Sequence, residues 1–202
     1  LATWKLCMFI VNDLPSFVEQ ESRLGTLENI LYLQPSLIQV FLTRAFATST
    51  KYFVEVSISS ICLIIFYQIS INVNIGNIFQ VFIILLIVFL GSCGFGLALA
   101  GLTFTYKSVS SISALISRLT LFIIGALVPI NSLGLLFEVI KFAFPSAWGL
   151  DIVRNIVNSN IPASTQEIAG LVIQSSIFLC IGWFVFLQGM KKASENGDLG
   201  TY

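Results

Sequence analysis

The residues best suited to binding a partner are concentrated in one short stretch, residues 18–32, which reads VEQESRLGTLENILY. Glu19 and Arg23 are four positions apart, with the acid first, which is the favourable order for an ion pair along a helix. An apolar stripe at helical spacing lies beside them, formed by Leu24, Leu27 and Leu31. The pattern indicates an amphipathic helix with an acidic polar side.

A glycine interrupts this stretch at its centre. Gly25 costs about 1 kcal/mol relative to Ala inside a helix, so a break is expected there. Thr26 can then cap a second short helix, and Glu28 in its first turn interacts favourably with the helix dipole. Pro35 prevents that second helix from continuing.

Two interpretations of this stretch differ in what the helix touches. It could lie in the membrane interface, but interfacial helices are usually rich in Lys and Arg on the polar face. Glu21 and Glu28 make this face acidic, and acidic groups are repelled by anionic lipid headgroups. The sequence therefore favours a protein partner at the cytoplasmic surface.

Residues for covalent or metal chemistry are scarce in this chain. It has no His, and its four cysteines are isolated, without a C-x-x-C spacing. Neither Gly-Lys-Ser nor Gly-Lys-Thr occurs, and the glycines at 94, 96 and 101 do not fit G-x-G-x-x-G. Net charge is zero, which gives no basic surface for nucleic acid. We expect no ATP site of the P-loop type and no metal site in this chain.

Five charged residues lie in or beside apolar segments. Lys51 and Glu55 are four apart and are expected to pair locally, and Arg118 can extend its side chain to the membrane surface. Asp151 and Arg154 are three apart and share a helix face. This second pair could be a structural clamp or could gate the outer mouth of a transport path.

A strip of small residues lies in a long apolar segment. Ser92, Gly96 and Ala100 recur every four positions, a spacing that lets helices approach closely. The strip fits packing within one subunit, a dimer seam or the lining of a substrate path.

The elements that position these residues are apolar helices. Hydrophobic residues make up 56% of the 202 residues and charged residues only 10%, against about 25% charged in soluble domains. A membrane span needs about 20 apolar residues, which predicts four helical spans, at residues 53–71, 78–103, 112–130 and 168–189. Residues 1–14 are interpreted as the end of a further helix that begins before this sequence.

Between the third and fourth spans, residues 131–167 are too polar and too broken for a simple crossing. The apolar centre, residues 135–144, is only ten residues long and is followed by Pro145 and Gly149. This predicts a re-entrant or interfacial pair of short helices.

The basic residues predict the orientation. Seven of them, counting Arg118, fall on one side, in residues 15–52, in the loop 106–111, at Arg118 and in the tail 191–202. The opposite side holds Lys141 and Arg154. Because Lys and Arg are enriched on the cytoplasmic side, we expect the N-terminal segment and the C-terminus to be cytoplasmic. The predicted fold class is an all-α, polytopic membrane helical bundle in the cell membrane.

The segment before Pro35 resembles the coupling segment of type-2 ATP-binding-cassette (ABC) transporter permeases. That family has a Glu, three residues, Gly-Thr-Leu-Glu and an aliphatic stretch ending in Pro. The matching residues here are Glu21, Gly25, Thr26, Leu27, Glu28, Ile30, Leu31 and Pro35. Leu24 stands where the family often has a basic residue, and Arg23 lies one place earlier.

Two downstream blocks also resemble this family. Residues 96–133 are similar to its glycine-rich span, short cytoplasmic loop and following span. Phe144-Pro145, Asp151 and Arg154 are similar to its Asn-Pro, acidic and Arg positions, with Phe144 in place of the usual Asn.

The resemblance implies residue roles and partners. It makes 15–35 the cytoplasmic coupling segment and 36–190 the transmembrane domain, and it gives the family six spans, the first of which this sequence lacks. It implies coupling to an ATPase by Glu21, Arg23, Gly25, Thr26, Leu27, Glu28 and Leu31, and a re-entrant or gating role for Pro145, Asp151 and Arg154. Two such permeases, identical or different, would pair in the lipid bilayer. Two ATPase subunits would dock below them and bind the ATP and Mg, so this chain needs no cofactor.

The leading functional hypothesis is the permease subunit of an ABC exporter. A polytopic channel or scaffold is an alternative, which ion conductance without an ATPase subunit would favour. An intramembrane lipid-modifying enzyme is a second alternative, but it needs clustered catalytic groups, and the predicted spans hold no His and no paired carboxylates.

Overall fold

The computed structural model describes residues 2–25, 37–67, 75–106, 109–123, 144–159 and 162–196. Throughout these residues the fold is α-helical, with no β-strand, which confirms the all-α prediction. The helices are α1 (Ala2–Arg23), α2 (Leu37–Tyr67), α3 (Ile75–Thr103), α4 (Val109–Ile123), α5 (Pro145–Ser159) and α6 (Thr165–Asn196).

Within the described ranges, two helices are long and apolar enough to cross a membrane, at Gly76–Thr103 and Thr165–Ala193. Of the apolar 18-residue stretch of each helix, only 39% is buried in the bundle in the first helix and 22% in the second. A core helix of a soluble protein would instead be mostly buried. Large apolar side chains therefore face outward along both helices, as Phe79 and Phe184 do, and lipid is the solvent that suits them.

The other two predicted spans are covered in part. Helix α2 includes residues 53–67 of the first predicted span, and α4 includes residues 112–123 of the third. Residues 68–71 and 124–130 lie outside the described residues. The described residues therefore contain two complete candidate spans and parts of the other two.

Helices α3 and α6 run parallel and form the centre of the bundle. Gly94 lies beside Gly182, and one heptad later Gly101 lies beside Gly189. A Cβ atom on Gly182 or Gly189 would overlap the carbonyl oxygen of the facing glycine, so no larger residue fits without separating the helices. The two backbones are in direct contact along two helical turns.

Helix α1 runs parallel to α3 on another side. Cys7, near its beginning, packs with Ile84 and Val88 of α3. Leu14 belongs to an apolar cluster farther along, which includes Ala100 of α3 and Phe186 of α6. Helix α1 thus lies along most of the length of α3.

Helix α1 does not end where its apolar run ends. It continues through Pro15 to Arg23, although Pro15 has no N–H to donate to the carbonyl of Val11. The boundary at residues 14 and 15, where we expect the coupling segment to begin, is therefore not a helix end. The helix ends next to Gly25, whose φ of +68° is the left-handed conformation that glycine adopts readily.

Helix α5 begins halfway along α3 and runs in the opposite direction. Its first residue, Pro145, lies against Gly91, near the middle of α3. Gly149 then contacts Val88, and Ile156 packs in the cluster around Ile84. Helix α5 thus extends from the middle of the bundle toward the N-terminal end of α3.

The start of α6 has a reciprocal cap. The Ser164 N–H donates to Glu167 Oε2 at 3.0 Å, and the Glu167 N–H donates to Ser164 Oγ at 3.3 Å. This is the capping-box arrangement, which satisfies two otherwise free backbone donors at a helix N-terminus. The Ala163 N–H also donates to Gln80 Oε1 at 3.1 Å, which joins this turn to α3.

Candidate coupling site and its connections to the bundle

The predicted ion pair between Glu19 and Arg23 is present in the last turns of α1. Arg23 donates to Glu19 Oε1 at 2.6 Å, and the Glu19 side chain is 9% exposed against 64% for Arg23. Glu21, between them, is half-buried. This part of the candidate site is a helical surface with one acidic group held in place by a basic one.

The centre of the predicted coupling segment falls outside the described residues. Thr26, Leu27, Glu28 and Leu31 all lie in residues 26–36, for which no conformation is described. Their coupling role stays a prediction from the sequence. What the structure describes is the connection that leads to them, from α1 through Gly25.

An ionic contact that no sequence pattern indicated joins α1 and α2. Arg44 Nε of α2 lies 3.5 Å from Asp13 Oδ2 of α1, and the Arg44 guanidinium carbon lies 4.0 Å from the centroid of the Phe17 ring. Thr48 Oγ1 is 3.1 Å from the same Asp13 oxygen. The contact combines an ion pair, a cation–π interaction and a hydrogen bond.

A second polar contact joins α1 to α4. Asn12 Nδ2 donates to Ser117 Oγ at 2.8 Å, in a part-buried position. The Ser117 hydroxyl in turn lies 3.1 Å from the Ser113 carbonyl oxygen one turn earlier. Adjacent residues of α1 therefore contact two different helices.

The three candidate gating residues lie on α5. Pro145 is buried at the helix start, while Asp151 and Arg154 are half-buried farther along. The two charged residues are three positions apart on one helix, as the sequence analysis expected. Whether they gate a path stays a prediction.

The small-residue strip is buried in the bundle. Ser92 and Ala100 are 3% and 0% exposed, and Gly96 is also buried. The Ser92 hydroxyl donates to the Val88 carbonyl oxygen at 2.9 Å, Val88 packs in one cluster with Cys7 of α1, and Ala100 belongs to the cluster around Leu14. The strip therefore borders α1, whereas the closest contact with α6 uses the glycines at 94 and 101.

The remaining charges near apolar segments are exposed. Lys51 Nζ lies 5.6 Å from the centroid of the neighbouring Tyr52 ring. Glu55 and Arg118 are both exposed, on α2 and α4. In the described part of the chain, no three His, Cys, Asp or Glu residues come close enough to hold a metal ion.

A half-open apolar cleft of about 230 Å³ separates α2 from α3. Its lining includes Phe46 and Phe53 of α2 and Phe82 and Phe89 of α3. Phe53 and Phe82 meet edge to face across it, with ring centroids 6.1 Å apart. Helix α2 is thus held to the bundle mainly through its contacts with α1.

Two helices of the described residues are long, apolar and largely unburied, as the spans of a membrane protein are. The sequence model of the ABC-2 type transporter family matches residues 6–158. That range covers most of the chain, so the protein belongs to the ABC-2 type transporter family, as its motifs indicated. Members of this family are membrane components of ABC transporters. No curated protein and no solved structure gave a significant match to the chain.

Proposed function

We propose that this chain is the permease subunit of an ABC exporter, which forms the translocation path and is driven by a separate ATPase subunit. The observation that carries the proposal is the family match over residues 6–158, which includes the whole Gly-Thr-Leu-Glu segment. The sequence holds no P-loop pattern, so the ATP and Mg would be bound by the partner.

The proposed arrangement in the membrane has four full spans and a re-entrant region. The spans are those predicted at 53–71, 78–103, 112–130 and 168–189, and the re-entrant region is 131–167. Support for the re-entrant region comes from α5, which begins beside the middle of α3 and runs antiparallel to it. The seven basic residues on one side support a cytoplasmic coupling segment and C-terminus, in the plasma membrane.

Residues 15–35 are proposed as the docking element for the ATPase subunit. Movement of that subunit would displace the segment, and α1 would carry the displacement into the bundle. Two permease chains, identical or different, would pair to complete the path. Support for the docking role comes from the acidic, partly apolar character of this segment, which suits a protein surface better than anionic lipid.

The proposal is tested with the variant Glu28→Lys, coexpressed with the ATPase subunit. We expect permease-stimulated ATP hydrolysis to be abolished while the variant still inserts into the membrane. Glu195→Lys is the matched control, because Glu195 is an exposed acid on α6 paired only at the surface with Lys191, at 3.8 Å. Stimulation equal to the natural chain in Glu28→Lys would refute the docking role. Failure of any ATPase subunit to copurify with the natural chain would refute the exporter.

A further inference from the structure

Two adjacent residues of α1 contact two different helices. Asp13 contacts Arg44 and Thr48 of α2, and Asn12 contacts Ser117 of α4. We call these five residues the polar clasp. They connect segments separated by 31 positions on one side and 105 on the other, so the clasp fixes tertiary arrangement and not local helix structure.

The α2 side of the clasp is the charged one. The Asp13 side chain is 16% exposed and that of Arg44 39% exposed, at 3.5 Å. Leu14 and Val40 pack nearby on the apolar side, whereas Gln39 and Thr43 line a cavity together with Arg44. Asp13 is the more enclosed of the two groups, so the loss of Arg44 would leave a largely buried carboxylate without its basic partner.

The position of the clasp along α1 is informative. Asn12 and Asp13 lie immediately before Pro15, where the helix lacks one backbone hydrogen bond and bends most readily. Beyond Pro15, the helix continues through the Glu19–Arg23 pair to Gly25, next to the predicted docking element. A displacement applied at that end and carried past Pro15 would reach the neighbouring helices through the contacts of Asn12 and Asp13.

From this geometry we infer that the polar clasp is the point at which movement of α1 is passed on to α2 and α4 together. Asp13, Arg44 and Asn12 are positioning residues, which act through helix contacts and lie outside the proposed docking element at residues 15–35. The clasp joins the turn before Pro15 to its two neighbours, so that movement of α1 carried past Pro15 displaces α2 and α4 with it. This inference depends on the proposed function for its driving force, since the displacement comes from a docked ATPase.

The test is a charge swap across the α1–α2 contact. Asp13→Arg and Arg44→Asp are made singly and together, and each is coexpressed with the ATPase subunit. We expect each single variant to lower permease-stimulated ATP hydrolysis about tenfold, and the double variant to recover to within about twofold of the natural chain. Copurification of the ATPase subunit should be unchanged in all three, because the clasp is separate from the docking element.

Lys51→Asp is the matched control, since it makes the same charge change on the same helix at an exposed position. It should keep full stimulation. If a single reversal prevents insertion, Asp13→Asn and Arg44→Lys replace it, with losses expected in the same direction. Single variants with normal stimulation, or a double variant no better than the singles, would overturn the clasp.

The thermal unfolding midpoint in detergent separates this inference from the proposed function. If no ATPase subunit binds the natural chain, the exporter proposal fails, yet a lowered midpoint in each single variant and its recovery in the double variant would still support the contact. If an ATPase subunit binds and is stimulated but the swap shows no recovery in either measurement, the clasp fails and the exporter stands.

Discussion

Gly94 and Gly182 face each other so closely that a Cβ atom on Gly182 would overlap the main-chain carbonyl oxygen of Gly94. From the other side, a Cβ on Gly94 would lie 2.5 Å from the Phe178 carbonyl oxygen. The atoms that these two added Cβ atoms would meet belong to the backbone, which cannot move aside as a flexible side chain can. The contact between α3 and α6 therefore depends on the absence of a side chain at both positions.

Gly182→Ala should lower the free energy of unfolding by about 3 kcal/mol, because the two helices must separate to admit the methyl group. The thermal unfolding midpoint in detergent measures this loss. Gly76→Ala is the matched control, since nothing lies within 4 Å of a Cβ there. The control should be neutral or slightly stabilising, as Ala is the better helix former. Equal midpoints for the two variants would contradict the close contact.

Gly25→Ala should reduce permease-stimulated ATP hydrolysis roughly tenfold. Gly25 has φ +68°, and a residue with a Cβ in that conformation costs about 1–2 kcal/mol, so the chain direction after α1 would change. Gly25→Asn should retain most of the stimulation, because Asn tolerates the left-handed conformation better than Ala. An Ala variant that performs as well as the Asn variant would show that this conformation is not needed.

Ser164→Ala should destabilise the first turn of α6 by about 1 kcal/mol, since it removes the side-chain acceptor of the capping box. Hydrogen exchange in the first turn of α6 should become faster as a result. Ser176→Ala makes the same change within α6, where the hydroxyl donates to the Val172 carbonyl at 2.8 Å. In Ser176→Ala, hydrogen exchange in the first turn of α6 should be unaffected. Unchanged exchange in Ser164→Ala would argue against the cap.

The two ends of α6 should be accessible from opposite sides of the membrane. The helix has 32 residues, about 48 Å at 1.5 Å per residue, which exceeds the hydrocarbon core of about 30 Å. In a chain with its four cysteines replaced, Gln166→Cys should react with an impermeant maleimide on intact cells. Glu195→Cys should react only after permeabilisation. The reverse pattern would invert the proposed orientation.

The sequence predicted what depends on neighbouring positions in the chain. Runs of apolar residues predicted helices, and the four-residue spacing of Glu19 and Arg23 predicted their ion pair, which is present. The expected weakness at Gly25 coincides with the end of α1. Each of these depends only on local periodicity or on the conformational freedom of one residue.

Contacts between helices were not predictable in the same way. Asp13 and Arg44 meet only because α2 lies against α1, and no sequence pattern specifies which helices are neighbours. The strip at Ser92, Gly96 and Ala100 was visible from its four-residue spacing, but it borders α1. The contact with α6 repeats every seven residues in both helices, at Gly94 and Gly101 and at Gly182 and Gly189, a recurrence that could have been sought.

The backbone contact between α3 and α6 also restricts where a transported molecule can travel. At the two glycine pairs the carbonyl oxygens of one helix touch the other helix directly, which leaves no width even for a water molecule. There is also no side chain in these two places whose rotation could open a gap. In the proposed exporter, a transport route would therefore follow another face of this helix pair.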